Sequence, residues 1–95
     1  MDPDLSDLSI ADVVISLAGR DQGKLFYVIG ADDTYLLLVN GKDRTIDKPK
    51  KKKRKHTRKV LRSETRIAEK IRNGDKVLNS ELRRDLAIIG QENAK

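Results

Sequence analysis

The stretch ADVVISLAGRDQGKLFYVIG, residues 11–30, decides the fold, because two runs of β-branched and aromatic residues flank a short polar loop. Runs of this composition are typical of strands, so residues 12–17 and 25–29 are predicted to form the first two strands. Gly19 and Gly23 lie in the loop between them. Glycine permits positive φ and close backbone approach, and the stretch therefore predicts a β-hairpin.

Further short strands follow along the chain. Residues 35–39 (YLLLV) predict a third strand, and Asn40-Gly41 after it predicts a type I′ turn, since both residue types accept positive φ. Residues 42–46 are expected to pair back as an exposed fourth strand at the sheet edge. Residues 60–61 are expected to add a short fifth strand that closes the sheet. Short strands joined by tight turns indicate a small, strongly bent antiparallel barrel.

The C-terminal third predicts one or two short helices. Ser63 is a candidate N-cap for a helix over residues 64–73, and Gly74 is its expected stop. A second helix is expected to begin at Asn79 or Ser80, with Asn79 as its candidate cap, and to end at Gly90. Its apolar side chains recur on one face, as an amphipathic helix requires: Leu82, Leu86 and Ile89.

Charge is distributed unevenly along the chain. The formal net charge is +6, yet residues 48–62 alone carry ten basic side chains and no acidic one. Such a run repels itself, so residues 48–59 are predicted to form a basic arm that is extended or mobile until a polyanion neutralises it. Binding of nucleic-acid phosphates is the favoured interpretation. A solubility tail and a nuclear import signal at residues 49–55 remain as alternatives.

Residues 11–30 also resemble a KOW motif, which occurs in several ribosomal proteins and in transcription elongation factors. The likeness is carried by the β-branched strand, the loop framed by Gly19 and Gly23, the basic Lys24, and the Val28-Ile29 pair. Asn40-Gly41 and the lysine-rich segment extend it over roughly residues 10–60, similar to KOW-bearing large-subunit ribosomal proteins of archaea and eukaryotes. Ala11 departs from the pattern, because many members have Gly there.

The resemblance implies a mainly β protein, an SH3-like barrel that binds structured RNA through its first hairpin loop. Residues 10–62 would be this barrel with its basic arm, residues 1–9 a flexible acidic leader, and residues 63–95 a short helical extension. Gly19 and Gly23 would shape the loop. The candidate RNA-binding side chains lie in the first loop, the segment after Asn40 and the basic arm: Arg20, Gln22, Lys24, Lys42, Arg44, Lys48, Lys50, Lys51, Lys52, Lys53, Arg54, Lys55, His56, Arg58 and Lys59.

The expected partner is ribosomal RNA, with ribosomal proteins as further neighbours. One alternative is an adaptor of the transcription or translation machinery that binds protein through a barrel face. The other is a nuclear nucleic-acid-binding protein. Because lysine is a flexible point charge, recognition is expected to follow RNA structure rather than base sequence.

Several classes of function are disfavoured by what the sequence lacks. There is no cysteine and a single histidine, His56, which leaves no thiolate site, no cysteine nucleophile and no complete zinc-ligand set. No phosphate-cradling Gly-Lys-Ser/Thr loop is present either. We therefore expect a non-enzymatic, cytoplasmic protein without cofactor, metal, small-molecule substrate or membrane association. Its longest apolar runs fall far short of the roughly 20 residues that span a bilayer.

Overall fold

The computed structural model describes residues 10–93. Five strands form one antiparallel sheet: β1 (Asp12–Ser16), β2 (Leu25–Ala31), β3 (Tyr35–Val39), β4 (Lys50–Lys53) and β5 (Thr57–Arg62). A short 3-10 turn, Arg54–His56, joins β4 to β5, and two helices follow, α1 (Arg66–Asn73) and α2 (Asn79–Glu92). The strand order is β4-β3-β2-β1-β5. The predicted fold class, a small antiparallel barrel followed by short helices, is confirmed, although the barrel is not closed between the edge strands β4 and β5.

The first hairpin forms as predicted. Gly19 and Gly23 adopt φ values of 84° and 87°. The loop is tied at its base, where the Gly23 amide donates to the Ser16 carbonyl at 2.8 Å and the Ser16 amide donates to the Lys24 carbonyl at 3.0 Å. Ala11 has φ of 70°, the one positive value at a non-glycine residue within residues 10–93. The backbone there thus takes a conformation that favours glycine, the residue that many KOW motifs carry at this point.

Side chains alternate along each strand, and each face of the sheet carries a buried apolar cluster. One face points into the barrel and forms a cluster of Val14, Phe26, Val28, Leu36 and Leu38. The other packs under the two helices, in a cluster of Ala11, Val13, Tyr27, Val39, Ala68, Val77, Leu82, Leu86 and Ile89. The predicted apolar stripe of α2 is therefore buried against the sheet. Each fully buried large side chain contributes about 1.5–3 kcal/mol to folding.

A hydroxyl network, which we call the tyrosine network, joins the sheet to the helices. The Tyr27 hydroxyl donates to the Asp85 carboxylate of α2 and lies 2.8 Å from Ser63 Oγ and 3.3 Å from Thr65 Oγ1. Thr65 Oγ1 also donates to Asp85 Oδ2 at 2.8 Å. Burial, reinforced by the bond to Asp85, raises the pKa of Tyr27 to about 12. The network fixes how α1 and α2 sit on β2.

The predicted fourth strand at residues 42–46 is wrong, since residues 40–49 form a loop. The type I′ turn is wrong too, because Asn40 lacks positive φ. Its side-chain Oδ1 instead accepts from the amides of Lys42 and Arg44, each at 3.0 Å, and these bonds curl the chain locally instead of forming a ladder. Gly41, at φ 78°, packs so closely on α2 that a Cβ there would lie 2.2 Å from the Asn79 carbonyl oxygen.

The fourth strand is formed by the lysine run itself. Residues 50–53 are therefore extended, which is one of the two predicted alternatives, and they are ordered by pairing with β3. β4 pairs along β3, with Leu38 opposite Lys50 and Leu36 opposite Lys52. After the 3-10 turn, β5 pairs with β1 from Thr57 to Arg62, and so it is longer than the two residues predicted.

The two helices form with shifted ends. Thr65, not Ser63, caps α1, because its Oγ1 accepts from the Ala68 amide at 3.2 Å while Ser63 is buried in the tyrosine network. Gly74 ends α1 in the left-handed conformation, as predicted. The helix α2 continues through Gly90 to Glu92, and Asn79 does not cap it. The Asn79 amide oxygen instead accepts from the Ile46 amide at 3.0 Å. Neither helix is long and apolar enough to cross a membrane. The predicted leader, residues 1–9, lies outside the described residues.

Candidate nucleic-acid interface

The lysine run of β4 is divided between the two sides of the sheet. Lys50 and Lys52 lie on the side of Leu36 and Leu38 and point into the barrel, whereas Lys51 and Lys53 are exposed. Lys52 is only 7% exposed. A buried ammonium requires a partner, and half of this run is therefore committed to internal contacts.

That partner is Asp21, in a cluster that we call the Asp21 clamp: Asp21, Ser16, Lys50 and Lys52. Lys52 Nζ lies 2.9 Å from Asp21 Oδ1 and donates to the Ala18 carbonyl at 2.7 Å. Lys50 Nζ lies 2.9 Å from the other carboxylate oxygen, and Ser16 Oγ donates to Oδ1 at 2.7 Å. Burial by itself would raise the pKa of Asp21, but the bonds from the two ammonium groups and the Ser16 hydroxyl outweigh it and hold that pKa well below its ordinary value.

The clamp fastens the first hairpin loop to β4. Sequence reasoning missed it, because Lys52 was assigned to RNA contacts and no role was assigned to Asp21. The two residues are 31 positions apart, so no local pattern in the sequence pairs them. Lys52 is thereby removed from the set of side chains that can meet a ligand without unfolding.

A cleft opens beside the clamp, where the first loop, the loop of residues 40–49 and the start of β4 converge. Its volume is about 270 Å³, Phe26 is among its walls, and it holds four cationic side chains that the sequence predicted: Arg20, Lys24, Arg44 and Lys50. We call this the basic cleft. Asp21 and Asp43 also line it, so the cations outnumber the acids by two.

The two acids of the basic cleft each pair with one of its lysines and leave its two arginines unpaired within residues 10–93. Lys24 Nζ lies 2.7 Å from Asp43 Oδ2, and this bond, together with a weaker one from Asn40, lowers the pKa of Asp43. Lys50 is held by Asp21. Arg20 and Arg44 are exposed and form no ion pair with the described residues. The two guanidinium groups are therefore the cations most available to a phosphate.

A second cationic surface lies on the outward side of β3 and β4. Lys51 and Lys53 stand there opposite Leu37 and Tyr35, and Lys51 Nζ lies 4.4 Å from the centroid of the Tyr35 ring. Leu37 is 38% exposed. We call this group of Tyr35, Leu37, Lys51 and Lys53 the outer strip. It combines an aromatic ring with two ammonium groups on an uncovered part of the sheet.

The remaining predicted residues lie elsewhere on the molecule. Lys53, Arg54 and Lys55 border a shallow pocket with Asp33 and Thr34. His56 is half-buried in the 3-10 turn. Arg58 and Lys59 face a different groove beside the end of α2, and Lys59 Nζ lies 3.6 Å from the buried Asp12 carboxylate. Three further side chains are exposed in loops: Gln22, Lys42 and Lys48.

The described residues contain no group of three His, Asp or Glu side chains placed to hold a metal ion. The chain has no match to a known protein family or to a curated protein. The arrangement that does emerge is electrostatic: a pocket ringed by cations from three segments, with two further exposed lysines on the outward side of β4. Such an arrangement fits a polyphosphate chain.

Proposed function

We propose that this chain is a KOW-type RNA-binding protein and that its ligand is structured RNA, with ribosomal RNA as the expected target. The observation that carries the proposal is the basic cleft, in which Arg20, Lys24, Arg44 and Lys50 from three separate segments surround one pocket. The resemblance of residues 11–30 to KOW motifs supports it independently, because that family uses the same first loop.

The cleft favours recognition of shape over base sequence. Two of its four cations are held before a ligand arrives, Lys50 by the Asp21 clamp and Lys24 by its pair with Asp43, while the exposed Arg20 and Arg44 are unpaired within the described residues. Arginine forks match phosphate oxygens bidentately, and lysine contacts the backbone as a point charge. A folded RNA that presents phosphates at this spacing would bind, while an extended polyanion would engage only some of the cations.

The test is a salt titration of binding to a ribosomal RNA hairpin, to duplex DNA of equal length and to heparin. The wild type is compared with the double variant Arg20→Gln/Arg44→Gln. The matched control is Arg66→Gln/Lys76→Gln, which removes two exposed cations from the helical segment. The logarithm of the binding constant falls as log salt rises, and each lost phosphate contact makes this negative slope shallower by about 0.7–0.9.

We expect the cleft variant to lose about 1.4–1.8 from the slope with the RNA hairpin and the control to lose almost nothing. The hairpin should also bind the wild type more tightly than DNA or heparin. Equal affinity for all three ligands, with identical slopes for the cleft and control variants, would contradict the proposal. In cells, the protein should sediment with ribosomal particles and be released from them by ribonuclease.

A further inference from the structure

The outer strip is left uncovered on a sheet face whose other part is fully packed. On that face, Tyr27 and Val39 lie under the helices, whereas Tyr35 and Leu37 lie beyond them and reach solvent. Leu37 is one of the few large apolar side chains that are exposed among residues 10–93. The Tyr35 hydroxyl has no hydrogen-bond partner within the same residues, in contrast to the Tyr27 hydroxyl.

The side chains of the outer strip limit the kinds of ligand that it can bind. A flat aromatic ring beside an exposed leucine offers a surface for a planar apolar group, and the register places an ammonium directly opposite each of them. Asp32 is an acid near the strip, and its carboxylate accepts from the amides of Tyr35 and Thr34 at 2.6 and 2.9 Å. These bonds lower the pKa of Asp32, with Lys51 and Arg54 near enough to contribute. The lowered pKa keeps Asp32 ionised, but neither Lys51 nor Lys53 forms an ion pair within residues 10–93, so the two ammonium groups leave the strip with a net positive charge.

Resting on the proposed function, we propose that the outer strip binds an unpaired nucleotide of the same RNA, with its base stacked on Tyr35 and its flanking phosphates at Lys51 and Lys53. A nucleotide joins a planar base to anionic groups, and this matches a ring flanked by ammonium groups. An acidic peptide would satisfy the cations with carboxylates, but it would offer the ring a planar partner only where it also carries an aromatic or arginine side chain, whereas every nucleotide carries both groups.

The present contact of Lys51 with the ring is compatible with this exchange. A cation–π contact at an exposed site is weaker than a base stacked on an aromatic side chain. When a base takes the ring face, the Lys51 ammonium is released beside it and is free to meet the adjoining phosphate. The strip would thus read unpaired nucleotides on one side of β4, and the basic cleft would hold the paired region on the other side.

The experiment uses the full chain and two RNA hairpins with one stem sequence. One hairpin has a loop of unpaired adenosines, and the other has the same loop with abasic nucleotides, so the phosphates are equal in number. Wild type is expected to prefer the adenosine loop by about 5- to 150-fold, the range that corresponds to stacking of one base. Tyr35→Leu should abolish the preference, and Tyr35→Phe should retain it.

A second measurement does not depend on any variant. Adding the adenosine hairpin to wild type should shift the Leu37 methyl resonances through the ring current of the bound base, and the abasic hairpin should not. Equal affinity of wild type for the two hairpins, or an unshifted Leu37, overturns the strip proposal while leaving the basic cleft intact. Failure to bind either hairpin overturns the proposed function itself.

Discussion

Lys52→Met is the substitution that most sharply separates the two roles of the lysine run. Lys52 is 7% exposed, and its ammonium contacts both the Asp21 carboxylate and the Ala18 carbonyl. Methionine keeps most of the side-chain volume but leaves Asp21 with the bonds from Lys50 and Ser16 alone. Removing one member of a buried ion pair costs about 3–5 kcal/mol.

Because Asp21 retains two of its partners, we expect the low end of that range, about 3 kcal/mol. A domain of this size shifts its melting temperature by about 4–8 °C per kcal/mol, so the predicted loss is about 12–24 °C. The assay is thermal unfolding followed by circular dichroism. The matched control is Lys53→Met on the same strand, which removes the same charge from an exposed side chain without an ion pair and should stay within about 0.5 kcal/mol of wild type.

The effect on RNA binding should be larger for Lys53→Met than for Lys52→Met, the reverse of the effect on stability. Under conditions where both are folded, Lys53→Met should lower the salt slope by about 0.7–0.9, whereas Lys52→Met should leave it unchanged. The net charge of the two variants is identical, so a general charge effect predicts no difference between them. Equal melting temperatures for Lys52→Met and Lys53→Met would refute the division of β4 into buried and presented lysines.

Three further predictions concern the supports of the fold. Tyr27→Phe should cost about 1–3 kcal/mol in chemical denaturation because it leaves buried partners of the tyrosine network unsatisfied, and Tyr35→Phe should cost almost nothing. The folded pKa of Tyr27 is raised from 10.0 to about 12, so the contribution of the Tyr27 hydroxyl to stability is complete below pH 10 and is lost as the pH rises toward 12. Alkaline unfolding of wild type, compared with that of Tyr27→Phe, measures this loss. Gly41→Ala should destabilise far more than Gly23→Ala, because both have positive φ but only the former places a Cβ on α2, and equal melting temperatures would contradict this. Asp21→Asn should be less stable than wild type at neutral pH, and the two stability curves should converge as the pH falls below 3.8, since a depressed folded pKa stabilises in full above the unfolded value and this contribution is lost as the pH falls toward the folded pKa.

The sequence predicted the parts of the fold whose causes are local. The first hairpin, β3 and the stop at Gly74 each follow from a few adjacent residues, and each formed as expected. The Asn40-Gly41 signal failed because its outcome depends on α2, which packs on Gly41 from the far end of the chain. The turn preferences of Asn40 and Gly41 carry no information about a contact with a helix that lies almost 40 residues further along the chain.

The sequence predicted which residue types make up the candidate site, but it did not predict which of them lie together in space. Arg20, Lys24 and Arg44 were chosen for charge and position in loops, and they do meet at the basic cleft. Arg58 was chosen on the same grounds and faces another groove. Nothing in a run of basic residues tells which will be buried, because that is decided by pairing with β3 and by a carboxylate from a distant loop.

The ordering of β4 changes the energetics expected of RNA binding. A mobile arm would have to be fixed when RNA binds, at a cost of about 1–2 kcal/mol for each backbone residue. For the four residues of β4 this entropic cost is about 4–8 kcal/mol. The hydrogen bonds to β3 and the Asp21 clamp offset that cost during folding, before any RNA binds. Fewer lysines then reach the ligand, but those that do are already in place. Under the proposed function, burial of Lys52 would therefore serve binding indirectly, because it holds Lys51 and Lys53 at fixed positions on the opposite side of the strand.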